Sequence, residues 1–135
     1  MHTVYLGLGS NLGNRKAIMH ETIGKINETI GDIVLQSSFF ETEPWGFDSP
    51  NKFLNACVCV DTQLAPRQLL EQTQRIEREM GRTHKSVNGR YEDRIIDIDI
   101  LLYDDLHINE PDLKVPHPLM EEREFVMRPL KEIMK

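Results

Sequence analysis

Residues 95–103 read Ile-Ile-Asp-Ile-Asp-Ile-Leu-Leu-Tyr, an apolar run that two aspartates interrupt. Such branched and aromatic residues favour a β-strand, in which side chains two positions apart share one face. The apolar face then carries Ile96, Ile98, Ile100 and Leu102. Asp97 and Asp99 share the other face, about 6.5–7 Å apart along the strand, and their desolvation is costly unless positive charge meets them. The pair predicts a site for divalent cations, two of which it can bridge; a solvated strand face is the alternative.

Outward from this strand, the chain shows two helices with one apolar face each. The first face carries Met19, Ile23, Ile26 and Ile30, and Gly31 follows as the expected stop. The second face carries Leu69, Thr73, Ile76 and Met80, between Pro66 and Gly81. Further strands are predicted at residues 4–8, 33–41 and 53–61, and a short helical stretch at residues 121–125.

The order of these elements is strand, helix, strand, strand, helix, strand. It predicts an α+β protein with a ferredoxin-like βαββαβ core, in which the helices cover one face of an antiparallel sheet and the other face is open for a site. Turn-forming residues predict long surface loops at residues 42–52 and 82–93. The glycines of residues 7–13 predict a tight turn between the first strand and the first helix. We expect residues 1–135 to form a single domain.

Composition narrows the classes of function. The 135 residues include 16 Lys and Arg against 22 Asp and Glu, a net charge of −6, which argues against broad binding to nucleic acid or anionic membranes. The longest apolar run, residues 56–60, is far shorter than the roughly 20 residues of a membrane helix. The N-terminus does not resemble a signal peptide, so we expect a cytoplasmic protein. Cys57 and Cys59 share one strand face and are expected to be buried, reduced thiols.

A cationic segment precedes the two aspartates. Residues 82–94 hold two acidic residues, Glu92 and Asp93, against the basic residues Arg82, Lys85, Arg90 and Arg94. The planar guanidinium of arginine matches the oxygens of phosphate groups. The segment therefore predicts an anion-binding loop beside the aspartates, with a solvated loop as the alternative.

Other side chains suggest a second ligand. His117 lies between two prolines, which stiffen its backbone, and Arg123 is near enough in the chain to reach the same anion. Asn55 is the one amide in an apolar strand, and its donor and acceptor suit the edge of a heterocycle. Aromatic rings for such a slot are available from Trp45, Phe47 and Phe53. A structural turn at His117 and core packing of Phe53 are the alternatives.

Several motifs, taken in order, resemble the 6-hydroxymethyl-7,8-dihydropterin pyrophosphokinases of folate biosynthesis. They are Gly-Leu-Gly-Ser-Asn-Leu-Gly at 7–13, Phe-Leu-Asn-Ala at 53–56, Thr-Gln-Arg-Ile-Glu at 73–77, Gly-Arg at 81–82, Arg-Ile-Ile-Asp-Ile-Asp-Ile-Leu-Leu at 94–102 and Val-Pro-His at 115–117. The resemblance implies a ferredoxin-like fold and a transferase. This enzyme moves the β,γ-pyrophosphoryl unit of ATP to the pterin hydroxymethyl group and releases AMP.

The resemblance also implies a set of site residues. Asp97 and Asp99 match the ligands of two Mg²⁺ ions that bind with ATP. The residues implied in catalysis are Arg82, Arg94, Asp97 and Asp99. Those implied in ATP binding are Gln74, Glu77, Arg82, His84, Ile100, His117 and Arg123. Those implied in pterin binding are Thr42, Trp45, Phe53, Asn55, Tyr91, Asp97 and Phe125.

The chain departs from the family pattern in the cationic segment. Tyr91-Glu92-Asp93-Arg94 stands where members usually carry Trp-Gly-Pro-Arg, and His84 stands where a second loop arginine is common. Tyr91 is then the expected aromatic cover of the pterin. An unperturbed imidazole at His84 is mostly uncharged at neutral pH and holds phosphate more weakly than arginine. We expect a monomer that acts on small molecules.

Two other functions match parts of the pattern. A nucleotidyltransferase also combines Gly-Ser with Asp-x-Asp, but there the motifs lie close in sequence, whereas Gly9-Ser10 and Asp97 are far apart in this chain. A ferredoxin-like RNA-binding module carries exposed aromatic residues and basic charge on its sheet. This sequence places aspartates there instead.

Overall fold

The computed structural model describes residues 1–43, 50–81 and 95–134. The elements of the first half are β1 (His2–Ser10), α1 (Arg15–Thr29), β2 (Gly31–Gln36), β3 (Phe40–Thr42) and β4 (Phe53–Thr62). Those of the second half are α2 (Pro66–Glu79), β5 (Asp97–Tyr103), β6 (Ile108–Glu110), β7 (Leu113–Val115), a 3₁₀ turn (Met120–Glu122) and α3 (Glu124–Ile133).

The main sheet is antiparallel and has the order β2-β4-β1-β5, with β3 pairing to β4 beside β2. β1 lies in its centre, where Gly7 is opposite Cys57 on one side and Asp99 on the other. β6 and β7 form a separate two-stranded hairpin. The strand order and the two helices that connect the strands confirm the predicted ferredoxin-like α+β fold.

The two faces of the sheet have separate apolar cores. On the first face, α1 packs against β1 and α2 packs against β5, with Met19, Ile26, Leu69 and Ile76 fully buried. This packing confirms the predicted helix faces, on which apolar residues recur at intervals of four, three and four positions. On the second face, α3 packs through Val126, Leu130 and Ile133 against Cys57, Cys59 and Leu101. The C-terminal helix is longer than the predicted stretch, and it leaves only part of the second face open.

The predicted strand at residues 33–41 is in fact two strands, β2 and β3, which both pair with β4. Ser37 separates them. Its hydroxyl accepts the Cys57 N–H at 2.8 Å, and its own N–H donates to the Cys57 carbonyl at 2.9 Å. A side-chain oxygen thus takes the place of a backbone acceptor, which interrupts the regular ladder at this point.

β5 departs from strict alternation at Leu101. The pairing of β5 with β1 shifts there, since Tyr5 is opposite Leu102 and Leu6 is opposite Ile100. Leu101 lies on the second face with the aspartates, and the bulge turns Leu102 to that face as well. Ile96, Ile98 and Ile100 lie on the first face as predicted, but the prediction that Leu102 joins them is wrong, because a bulge changes the side-chain phase of every residue beyond it.

The two cysteines lie on the second face and are free thiols, as predicted. Burial is the main cause that raises the pKa of the Cys57 thiol to about 12. The thiol is therefore protonated at neutral pH and unreactive toward electrophiles. Among the described residues, none of the helices combines the length and the apolar character needed to span a membrane.

Candidate active site

The open part of the second sheet face forms a pocket, called here the sheet pocket. It is lined by Gly7, Leu8, Gly9, Thr42, Glu43, Phe53, Asn55, Ala56, Asp97, Asp99, Arg123, Phe125 and Val126. The residues predicted for pterin binding that the structure describes all lie in this lining; they are Thr42, Phe53, Asn55, Asp97 and Phe125. Trp45 and Tyr91 lie outside the described residues, and so does the loop aromatic Phe47.

Two glycines of β1 form the floor of the sheet pocket. Gly7 pairs with Asp99, and Gly9 pairs with both Asn55 and Asp97. A Cβ on Gly9 would lie 3.2 Å from Asn55 Oδ1 and 3.6 Å from the Phe53 ring. Both glycines therefore lie within the strand, and the prediction that they form the strand-to-helix turn is wrong. Of the three glycines in residues 7–13, Gly13 alone has a positive φ, of +70°, which favours glycine.

This register also changes the comparison with a nucleotidyltransferase. Gly9 and Asp97 are far apart in sequence but directly opposite each other in the sheet. Ser10 is fully buried and, by strand alternation, lies on the face opposite Gly9. Its hydroxyl is therefore on the first face of the sheet, which α1 and α2 cover, and the aspartates are on the second face.

Asn55 is 2% exposed. Its amide nitrogen donates to Thr42 Oγ1 at 2.7 Å and to the Phe40 carbonyl at 3.4 Å. These bonds fix the side chain and link β4 to β3. Because the nitrogen is engaged by the protein, the amide oxygen beside Gly9 is the atom that can accept a hydrogen bond from a ligand.

Asp97 and Asp99 are half-buried and line the same pocket, as the strand period predicts. Two carboxylates give fewer oxygens than Mg²⁺ or another divalent cation requires. Among the described residues, His, Cys, Asp and Glu side chains do not form a group of three or more that would complete a protein cage. The donor set therefore fits a cation that takes its remaining ligands from water and from a phosphate group.

A second pocket, called here the hairpin pocket, lies between α2, β5 and the β6–β7 hairpin. It is lined by Leu70, Ile98, Asp99, Ile100, Pro111, Asp112, Leu113, Lys114, His117 and Pro118. Ile100 and His117, both predicted for ATP binding, are in this lining. Asp99 lines both pockets, so the two pockets meet at this residue.

His117 is held in place by hydrogen bonds of its backbone and of its ring. Its backbone N–H donates to the Leu101 carbonyl at 3.0 Å, which fastens the segment to the outer edge of β5. Nδ1 accepts the Leu119 N–H at 3.4 Å. An imidazole that accepts at Nδ1 carries its proton on Nε2 and donates from that atom.

Arg123 is 6% exposed and lines the sheet pocket rather than the hairpin pocket. Its guanidinium carbon lies 5.6 Å from the centroid of the Phe125 ring, within the range of a cation–π contact. The buried guanidinium places positive charge in the pocket that holds the aspartates. Its predicted role in ATP binding remains a prediction.

Glu77 and Gln74 lie on α2. Glu77 is 3% exposed, and its Oε2 accepts the Ile98 N–H at 2.8 Å. Ile98 lies between the two aspartates, so this carboxylate supports β5 at the point where the strand presents them. Gln74 is half-buried. Arg82, His84 and Arg94 lie outside the described residues.

We expect Glu77→Ala to lower the free energy of unfolding by about 1–3 kcal/mol, because a buried N–H loses its acceptor. Glu77→Gln retains an acceptor oxygen and should lose less. The measurement is urea unfolding, with Glu71→Ala, an exposed position on the same helix, as the matched control. A Glu77→Ala protein as stable as the Glu71→Ala protein would show that the contact with Ile98 does not stabilise the strand.

The sequence patterns missed several parts of the site. Gly7 and Gly9 were assigned to a turn, and Leu70, Asp112 and Lys114 of the hairpin pocket were not singled out. The alternation of Gly7 and Gly9 with buried Leu6 and Leu8 is a signal that places the glycines on one strand face. The hairpin has no comparable signal, because its strands have three residues each.

Comparisons with known proteins agree with this geometry. The family model described as 7,8-dihydro-6-hydroxymethylpterin-pyrophosphokinase (HPPK) matches residues 5–135. A relative from Porphyromonas gingivalis named 2-amino-4-hydroxy-6-hydroxymethyldihydropteridine pyrophosphokinase is 48% identical over 134 residues, which are 98% of this chain and 91% of the relative. Proteins of the same name from Aquifex aeolicus and Bacillus subtilis are 44% and 42% identical, and the matches cover 81% and 76% of their lengths and 98% and 96% of this chain.

Solved structures share the fold. A crystal structure of an HPPK-DHPS in complex with substrates has a TM-score of 0.77 at 15% identity over 98% of this chain. Wild-type Plasmodium falciparum HPPK-DHPS has a TM-score of 0.77 at 16% identity, also over 98% of this chain. The chain spans 40% and 41% of the length of those two chains. By its near-complete match to the family model and its identity to these relatives, the chain belongs to the 7,8-dihydro-6-hydroxymethylpterin-pyrophosphokinase family.

Proposed function

We propose that this protein transfers the β,γ-pyrophosphoryl unit of ATP to the hydroxymethyl group of 6-hydroxymethyl-7,8-dihydropterin, giving AMP and the pterin pyrophosphate for folate biosynthesis. The observation that carries the proposal is the meeting of two differently lined pockets at Asp99. A group transfer between two substrates needs such a junction, because the reacting atoms must come together in line. Membership of the family supports the same activity.

The sheet pocket is the proposed pterin site. Phe53 and Phe125 offer aromatic surface to a flat heterocycle. Asn55 Oδ1 then accepts a hydrogen bond from a ring N–H or amino group, while Thr42 holds the other end of the amide. Trp45 and Tyr91 are proposed as additional aromatic contacts.

The hairpin pocket is the proposed nucleotide site. Leu70, Ile98 and Ile100 give it an apolar wall for a base, and His117 donates from Nε2 to a phosphate oxygen. The triphosphate then extends toward Asp99 and the sheet pocket. Gln74, Glu77, His84 and Arg123 are retained as proposed contributors to ATP binding.

Asp97 and Asp99 are the proposed ligands of two Mg²⁺ ions. When bound with ATP, the ions would neutralise charge on the phosphate groups. The chain itself positions the substrates: β5 presents both carboxylates on one face, Gly7 and Gly9 leave room in front of them, and Arg82 and Arg94 are proposed to clamp the transferring group. In-line phosphoryl transfer depends mainly on positioning and charge stabilisation, so we assign no general base. Both pockets are lined by one chain, and we propose an active monomer in the cytoplasm.

Incubation of the protein with ATP, Mg²⁺ and the reduced hydroxymethyl pterin should release AMP in equal amount to the pterin pyrophosphate. Chromatographic separation of the nucleotides measures this directly. Formation of ADP would indicate transfer of a single phosphoryl group and would contradict the proposal, as would an absence of nucleotide product. Omission of the pterin is the control for simple hydrolysis.

We expect Asn55→Ala to raise the KM for the pterin about 10- to 100-fold. The bound pterin would lose one buried hydrogen bond, and an unpaired buried polar group typically weakens binding by roughly that factor. The affinity for ATP should stay unchanged, since Asn55 lines only the sheet pocket of the two. Steady-state kinetics with each substrate varied in turn measures both. Asn27→Ala is the matched control. The Asn27 amide oxygen also accepts a hydrogen bond, from the Ile33 N–H, but Asn27 lines neither of the two pockets. An equal loss for both substrates would contradict the assignment of Asn55 to the pterin.

A further inference from the structure

Arg67, in the first turn of α2, joins this helix to the β6–β7 hairpin. Its Nη1 lies 2.8 Å from Glu110 Oε1 and 2.7 Å from Asp112 Oδ1, and its Nη2 lies 2.9 Å from Asp112 Oδ2. The pair with Asp112 is bidentate, a geometry that fixes the orientation of both groups. One guanidinium thus connects the helix to Glu110, at the end of β6, and to Asp112, in the turn before β7.

This connection reaches the wall of the hairpin pocket through Asp112. Asp112 is part of the pocket lining, and so is Leu70, which follows Arg67 by three residues on α2. Side chains three apart on a helix lie on the same side. Leu113 and Val115 also hold the hairpin, because they are buried in the first core on either side of the exposed Lys114. They lie in β7 and do not anchor the tip of the hairpin. The Arg67 pair therefore sets how the tip faces α2.

The Arg67 contact also offsets negative charge at the tip of the hairpin. Asp112 and Glu110 are acidic groups at the tip, and Arg67 is the cation that contacts both. ATP carries about four negative charges, and an uncompensated carboxylate in the pocket wall would repel it. The guanidinium cancels part of that repulsion and keeps the carboxylate of Asp112 directed toward α2.

We propose that Arg67 is a positioning residue for the nucleotide: it holds Asp112 against α2 and neutralises it, so that the hairpin pocket accepts a nucleoside triphosphate. The inference rests on the proposed function in placing ATP in this pocket. Arg67 acts through Asp112 and the hairpin, and its effect is confined to the nucleotide side of the site.

The test is calorimetric binding of a nonhydrolysable ATP analogue with Mg²⁺, which requires no turnover. Arg67→Gln should weaken binding about 2- to 5-fold, the size expected from the loss of an exposed ion pair. The loss should shrink at high salt, because exposed charges are screened. Asp112→Asn in the Arg67→Gln background should restore at least half of the lost affinity. The KM for the pterin should stay within twofold of the wild-type value.

Arg75→Gln is the matched control, since Arg75 lies on the same helix, is exposed, and pairs with Glu79. Three results would overturn the inference: an Arg67→Gln protein that binds the analogue like the Arg75→Gln protein, an equal loss for the pterin, or no recovery with Asp112→Asn. Failure of the proposed function can be told apart from failure of this inference. If the proposed function fails, the wild-type protein binds the analogue but releases no AMP in the turnover assay. Wild-type protein that does not bind the analogue contradicts both.

Discussion

Replacement of Asp97 or Asp99 by asparagine is expected to lower the rate of AMP formation about 100- to 1000-fold, the loss that follows removal of one strong transition-state contact. Asparagine keeps the shape of the side chain and removes its charge. The two carboxylates lie on one face of β5, opposite Gly7 and Gly9, and Asp99 lies where the two pockets meet. In the proposed reaction, each carboxylate would hold an ion that neutralises charge on the triphosphate during transfer.

The fold should survive these substitutions, because the core of β5 is formed by Ile96, Ile98 and Ile100 on its other face. Circular dichroism and thermal unfolding check this. Asp105→Asn, at an exposed position beyond β5, is the matched control and should keep wild-type turnover. An Asp97→Asn or Asp99→Asn protein with near-normal turnover would count against metal ligation by that residue.

Chelation of divalent ions is expected to abolish AMP formation and to weaken binding of a nonhydrolysable ATP analogue by more than about tenfold. The physical reason is that a triphosphate beside two carboxylates is repelled unless cations separate them. Addition of Mg²⁺ in excess of the chelator should restore both properties. Calorimetry and the AMP assay, run on the same preparation, give the two measurements.

The thermal unfolding of the protein should be nearly the same with and without the chelator, because the apolar cores on both faces form without the aspartates. This control separates loss of metal from loss of structure. Equally tight binding of the analogue after chelation would contradict the proposed role of Asp97 and Asp99.

Local patterns predicted the strands and helices that build the site. The alternation of residues 53–61 placed Asn55 on the face opposite Leu54 and Ala56, and β4 has that arrangement, with Leu54 and Ala56 in the first core. The run at 95–103 placed Asp97 and Asp99 on one face, where they line one pocket. These predictions succeed because side-chain direction in a regular element depends only on position along the chain.

The same reasoning failed where one element meets another. The bulge at Leu101 results from the pairing of β5 with β1, and it turns Leu102 away from the predicted face. The break at Ser37 results from its contact with Cys57. A pattern of apolar residues carries no information about such contacts, because they depend on the partner strand.

The amino-acid sequence by itself determined which side chains share a face, because the periods of strands and helices are local properties of the chain. It also carried enough family resemblance to indicate the activity. Only the tertiary structure decided which faces meet: that Gly9 lies between Asn55 and Asp97, that Glu77 supports Ile98, and that Arg67 reaches Asp112. These contacts join residues distant in the chain, and packing between whole elements brings them together.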